Sequence, residues 1–404
     1  MIAAGIASRV IPRSDDIWVF GGNKGLRFAD NSMYFFKYCS RTANRRVIWL
    51  THSKEILNRV RSEGYPAYAA NGLQGLWLGF RAKWHVFDVS VRDTSIYSSR
   101  GAYQLNMWHG YPIKDIRRLK PKIHPNSNGI IHRFGRWLCN LPDDKSSYYM
   151  VHQNRKYLWQ ITDSFDVRPE NVVIANYPRN VVFEQSSDAL RDVSVSAEPW
   201  IGKLQEIRKT GSPILGYFPT WRGNGTDSFL GSRNLAELQD LNSFLVEQNL
   251  MIATKWHSCV FAEYDHDGNC SEAEDLNAAL HSLSNIVVLG FDQDLNSLLV
   301  YFDVLISDYS GVIVDYLLSD RPQILMPYDL KAYEDDWGFL FDYREFAPGH
   351  IVETVPELKV LLEQYVDDPD GFGRQYAEQR ESLRADLFDE LGGSQKIFEV
   401  MVTV

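Results

Sequence analysis

The chain is short of cysteine, of basic charge and of long apolar runs. Its four cysteines (Cys39, Cys139, Cys259 and Cys270) form no CxxC pair. That excludes a disulfide-framed miniprotein and a zinc site of the usual spacing, and it predicts a reduced, cytosolic protein. The 42 basic residues are outnumbered by 52 acidic ones, for a net charge of −10, which excludes a general nucleic-acid binder. No stretch approaches the ~18 apolar residues that a membrane-spanning helix needs. The opening Met1-Ile-Ala-Ala-Gly-Ile-Ala-Ser-Arg is too short for the apolar core of a signal peptide. The expectation is a protein that is soluble or peripheral to a membrane. No repeat of fixed period and no low-complexity tract is visible.

What is present is a strand–helix alternation. The 404 residues suggest two or three domains at about 150 residues each. Short β-branched or aromatic runs recur at 17–20, 47–50, 85–89, 103–107, 148–152 and 172–175. A second series follows at 214–218, 251–254, 286–289, 304–306 and 323–326. Between them, Leu235, Leu238, Leu241, Phe244 and Leu245 recur at helical spacing, as do Leu358, Leu361, Leu362 and Tyr365. Such alternation predicts parallel sheets covered by helices on both faces. The polar stretch 184–212 breaks the pattern and reads as a linker region holding a helix. The expected organisation is an N-terminal Rossmann-like domain over 1–183, the linker region over 184–212, and a C-terminal Rossmann-like domain over 213–404. The two would face each other across a central cleft. Aromatics make up 13% of the chain and must serve a core, a cleft or an interface.

One segment departs from the acidic average. Between Lys114 and Arg136 stand seven basic residues and one acid. Phe134, Trp137 and Leu138 add apolar bulk. Basic charge interleaved with aromatics suits a membrane surface, and Arg117, Arg118, Arg133 and Trp137 are its candidate contacts. A solvated basic loop is the alternative.

The strand ends carry the chemistry. Asp303 to Leu318 runs from a strand through a polar turn into a helix. Ser307, Asp308 and Ser310 are capping types, and Gly311 allows close approach to the backbone. A helix start of this kind offers amide donors to a phosphate. His109 follows another strand end and precedes Gly110, with Lys114 nearby; histidine suits general-base work at neutral pH. Lys255 and His257 end a third strand, and Arg222 follows a fourth. Two histidines and several cations at strand ends predict a cationic cleft, and hence an anionic substrate. Three other motifs are weaker. Asp292-Gln-Asp294 has the form of a metal-binding pair but reads as chance in an acidic chain. Asp265-His-Asp-Gly-Asn269 lacks the final Glu of a calcium loop and reads as a surface turn. Gly21-Gly-Asn-Lys-Gly25 lacks full dinucleotide spacing and would at most bind an acceptor phosphate.

Together these blocks resemble the CDP-glycerol glycerophosphotransferases, the teichoic-acid primases, polymerases and capsule-making relatives. The strongest portion runs from Ser307-Asp-Tyr-Ser-Gly through Arg321-Pro, Met326-Pro-Tyr-Asp, Gly338-Phe-Leu-Phe-Asp-Tyr and Ala347-Pro-Gly. Asp30-Asn-Ser-Met-Tyr-Phe, Trp108-His-Gly-Tyr-Pro-Ile-Lys, Tyr177-Pro-Arg-Asn and Pro219-Thr-Trp-Arg add to it. The resemblance implies a GT-B-like fold and an enzyme with no required cofactor or metal. It implies CDP-glycerol or a similar CDP-polyol as donor, CMP as leaving group and a lipid-linked acceptor, at the inner face of the cell membrane. The family's essential histidines match His109 and His257. Arg222, Lys255 and Ser307 to Gly311 would hold the donor, and Asn31 and Lys114 would stand on the acceptor side. Three departures adjoin these positions: Ser258 for a usual Pro, Gly311 for a second serine, and Tyr111 for a common Thr. The competing readings are a GT-B glycosyltransferase or epimerase using a UDP-sugar, and a non-enzymatic nucleotide- or polyanion-binding module.

Overall fold

The computed structural model describes residues 8–115, 145–184, 200–220, 230, 234–255, 278–290, 293–389 and 393–404. They form two compact units: 1–110 with 116–195 and 386–404, and 111–115 with 196–385.

The first unit is built on seven strands: β1 (Ser14–Phe20), β2 (Arg46–Thr51), β3 (Ala67–Ala69), β4 (Ala82–Phe87), β5 (Tyr103–Asn106), β6 (Tyr148–His152) and β7 (Val172–Ile174). All pair in parallel, in the order β3-β2-β1-β4-β5-β6-β7. The strand order reverses between β1 and β4, where α/β sheets place their ligands. The second unit repeats the plan with β8 (Ile214–Phe218), β9 (Met251–Thr254), β10 (Ile286–Val288), β11 (Val304–Ser307), β12 (Gln323–Leu325) and β13 (His350–Ile351). Their order is β10-β9-β8-β11-β12-β13, again all parallel, with the reversal between β8 and β11. Each of the eleven apolar runs became a strand. β3 and β13 were not legible, because one is alanine-rich and the other is two residues long.

The boundaries differ from those read in the sequence. Helix Gly393–Thr403 belongs to the first unit, not to a 213–404 domain. It lays Phe398 against Trp18 and Tyr38, with ring centroids 5.7 and 6.1 Å apart. The indole nitrogen of Trp84 donates to the Met401 carbonyl at 3.1 Å. Residues 111–115 go the other way, into the second unit. Residues 200–209 are helical, as the linker region was expected to be in part. On helix Leu235–Glu247 the apolar face is Leu238, Leu241, Phe244 and Leu245, whereas Leu235 is exposed.

Part of the aromatic excess is core. Trp18, Trp49 and Trp84 are fully buried. Phe28 meets Trp49 edge-on at 4.7 Å and 82°, and Phe36 packs against Phe20, Phe28 and Trp49. Edge-to-face pairs add to simple area burial.

Two buried histidines make stability depend on pH. His85 pairs Nε2 with the Gly79 carbonyl and Nδ1 with the Thr94 hydroxyl, each at 3.0 Å. Burial, then the charge of Arg13, lowers its pKa from 6.5 to about 3. Burial likewise lowers His152 to about 4. The unfolded imidazoles take up protons below pH 6.5 that the folded ones refuse. Stability is therefore full above that pH and lost as pH falls towards the folded values. Between pH 7.5 and 5 the loss should be about 2 kcal/mol per histidine. Denaturant midpoints across that range should fall, with a shallower fall in His152→Gln.

Candidate functional site

Past β5 the chain makes a turn held in an unusual backbone. Trp108 has φ +57 and Gly110 φ +143, so His109 is bracketed by two left-handed residues. The second value is open only to glycine at low cost. A Cβ at Gly110 would also lie 2.9 Å from the Arg179 guanidinium. Each carbonyl of the turn is gripped by a different side chain. The Asn31 amide donates to the Trp108 carbonyl at 2.8 Å, and Arg179 Nη1 donates to that of His109 at 2.9 Å. The Tyr177 hydroxyl reaches that of Gly110 at 3.4 Å. The Trp108 amide donates to Asn106 Oδ1 at 2.9 Å. Strain persists where the surroundings over-determine it, and such places cluster at functional sites. The His109 side chain is exposed, its ring 4.1 Å from that of Trp108.

Beneath the turn lies a polar layer at the β1/β4 reversal. Asp30 opens helix Asp30–Thr42 with φ +63 and accepts from Arg179 Nη1 at 2.9 Å. Burial opposes ionisation of Asp30, but the charges of Arg179 and His109 and the Asn31 amide outweigh it and hold the carboxyl below its ordinary range. Asp88, just past β4, accepts from both the amide and the hydroxyl of Ser32 at 2.8 Å. Burial, then the charges of Asp30 and Asp93, pushes its carboxyl well up. The Gly21–Gly25 loop does not offer the phosphate cradle considered for it. Its amides at Gly21, Lys24 and Gly25 go to Val86, Asp93 and Gly22, and Asp88 and Asp93 are acids set against it.

In the second unit the Ser307–Gly311 turn sits at the β8/β11 reversal. Its first two side chains hold the turn rather than cap the helix. Ser307 Oγ donates to the Phe218 carbonyl at 2.7 Å. Asp308 Oδ1 accepts from the amides of Thr220 at 2.9 Å and Tyr309 at 2.6 Å. Gly311 is the cap residue of helix Val312–Tyr316 and has ordinary right-handed angles. Ser310 and Gly311 are half-exposed and remain the accessible part of the turn. An aromatic group backs it. Tyr309 stacks on Tyr333 at 3.9 Å and donates to Asp329 at 2.8 Å, and the Tyr343 hydroxyl donates to the Asp308 carbonyl at 2.6 Å.

Lys114 lies in this second unit. Its ammonium donates to the Tyr333 hydroxyl at 2.8 Å and stands 5.6 Å from the ring centroids of Tyr333 and Trp337. Ile113 and Asp115 pair with Leu340 and Gly338 through their backbones. Lys255, at the end of β9, is half-buried and donates to the Gln293 carbonyl. Asn31 is fully buried, and its Oδ1 accepts from the Arg179 amide at 3.2 Å. One end of its side chain holds the turn and the other holds the backbone of Arg179. Asp294 caps its own turn through the Ser297 amide at 3.1 Å, which gives it a local structural task. His257, Arg222, Arg117, Arg118, Arg133, Trp137 and Asp292 lie outside the described residues, as does the Asp265–Asn269 stretch. Sequence reasoning missed Arg179, Asp88 and Asn106. The Tyr177-Pro-Arg-Asn block was the signal for Arg179, but nothing in it pointed to His109, 70 positions away.

Among the described residues no helix is long and apolar enough to cross a membrane. Known proteins bear on the rest. The teichoic acid glycerol-phosphate transferase of Staphylococcus aureus is 24% identical over 88% of this chain and 84% of its own length. The teichoic acid poly(glycerol phosphate) polymerase of Staphylococcus epidermidis is 26% identical over 88% of this chain, which spans only 47% of that protein. The solved wall teichoic acid polymerase TagF aligns over 99% of this chain and 92% of its own, with a TM-score of 0.72 at 20% identity. That likeness establishes the GT-B-like fold. A family model for CDP-Glycerol:Poly(glycerophosphate) glycerophosphotransferase matches residues 5–398, and the chain belongs to that family.

Proposed function

We propose that the chain transfers glycerol phosphate, or a related polyol phosphate, from a CDP-polyol to a hydroxyl of a lipid-linked acceptor in teichoic acid or capsule-type synthesis. The observation that carries this reading is the family match over 5–398, which takes in both the His109 turn and the Ser307–Gly311 turn. A TagF variant soaked with CDPG supports the choice of donor. The acceptor oxygen bonds to the phosphorus bearing the polyol, the bond to CMP breaks, and the hydroxyl proton leaves to a base. Positioning and charge stabilisation dominate such a displacement. His109 is the proposed base, and its exposed ring on a clamped turn suits that task. His257, Arg222 and Lys255 are proposed to steady the diphosphate, and Ser310 and Gly311 to hold a phosphate of CDP. The membrane contact is proposed for Arg117, Arg118, Arg133 and Trp137, with the acceptor at the inner membrane face.

Purified protein given CDP-glycerol and a synthetic lipid acceptor should release CMP and lengthen the acceptor by glycerol phosphate units, read by mass spectrometry. Product length would separate a primase from a polymerase. Turnover of UDP-sugars with none of CDP-glycerol would replace this reading by the glycosyltransferase one.

A further inference from the structure

We propose that the Asp30–Arg179 ion pair is the positioning device of His109, and that both residues govern the transfer step through that turn without touching the reacting phosphorus. This rests on the reading of His109 as base. One nitrogen, Arg179 Nη1, serves two acceptors at 2.9 Å: the Asp30 carboxylate and the His109 carbonyl. The Arg179 side chain is 6% exposed, so its charge needs a partner, and Asp30, at 28%, supplies one. The pair is locked at its other ends as well. The Asn31 amide donates to Asp30 Oδ1 at 2.8 Å, and the Arg179 amide donates to Asn31 Oδ1 at 3.2 Å. A guanidinium is a rigid planar fork, so fixing one acceptor fixes the direction of the next. The Gly110 Cα faces the other fork nitrogen too closely for a side chain between them. The orientation of the His109 peptide, and with it the start of the imidazole's path, is therefore set by Arg179. Asp30 sets Arg179.

The test is a double-mutant cycle on turnover. Misplacement of a reacting group by a fraction of an ångström or more lowers rate with little effect on donor binding, so Asp30→Asn should lower kcat about 10-fold and Arg179→Lys about 10–100-fold. KM for CDP-glycerol should stay within about twofold, because uniform donor binding is untouched. In a His109→Ala background both substitutions should have no further effect on the residual rate, since residues acting as a unit are non-additive. Folding is checked by circular dichroism and thermal midpoint; should Arg179→Lys fail to fold, Asp30→Asn, at a half-exposed side chain, carries the cycle. Unchanged kcat in the folded single variants overturns the proposal, as does full multiplication of their effects on His109→Ala. Near-normal turnover of His109→Ala alone removes the base reading and the proposal with it, so the two failures are distinguishable.

Discussion

His109→Ala should lower turnover with CDP-glycerol by about 10²–10⁴-fold, the usual cost of losing a general base. The fold should survive. His109 is exposed, and the turn around it is held through backbone groups: the carbonyls of residues 108 to 110 by Asn31, Arg179 and Tyr177, and the Trp108 amide by Asn106. Truncating the ring removes none of those bonds. The variant should therefore match the parent in circular dichroism and differ only in steady-state CMP release. Near-normal release from a folded protein would reject the assignment. Loss of turnover together with loss of fold would mean that the Trp108–His109 ring contact is structural.

Asp308→Ala should act on both stability and donor affinity. Asp308 is 1% exposed and gathers the Thr220 and Tyr309 amides onto one oxygen. The first of these ties the segment after β8 to the turn after β11, across the strand-order reversal. Removing the carboxylate leaves two amide donors without that acceptor. A donor left buried and unsatisfied costs about 1–3 kcal/mol, so the combined loss should be about 2–6 kcal/mol. KM for CDP-glycerol should rise roughly tenfold, equivalent to about 1.4 kcal/mol of lost binding, as Ser310 and Gly311 lose their support. Asp308→Asn keeps an acceptor oxygen and should be milder in both respects. Urea midpoints and KM measured on the same preparations check this. An Asp308→Ala protein of unchanged midpoint would show that the amides find other partners. An unchanged KM in a destabilised one would separate the turn's structural task from donor binding.

Much of the candidate site was legible as position and little of it as local structure. His109 and Ser307–Gly311 were recognised because they follow apolar runs, and strand ends in parallel sheets are where ligands gather. Ser307 and Asp308 were taken as ligand groups on their capping chemistry. The structure gives them to Phe218, Thr220 and Tyr309, because a side chain at the reversal point faces the neighbouring strand's end as well as the crevice. Lys114 was placed on the acceptor side by the resemblance, in one block with His109. The chain crosses between units at 110/111, and spacing along the sequence carries no record of that crossing.

From its residues alone this chain specified two parallel α/β units and the strand ends proposed to bear its chemistry. Those properties are local: they follow from the alternation of apolar runs with helical periodicity and from the residue types at each boundary. The grip on the His109 turn, the pairing of Asp30 with Arg179, and the docking of Gly393–Thr403 on the first unit arise only on folding. Each joins residues far apart in the chain, Arg179 and Asp30 by 149 positions and Trp84 and Met401 by 317. Periodicity shows that a helix has an apolar face and that an arginine needs a partner. The packing around each, on folding, selects which partner it is.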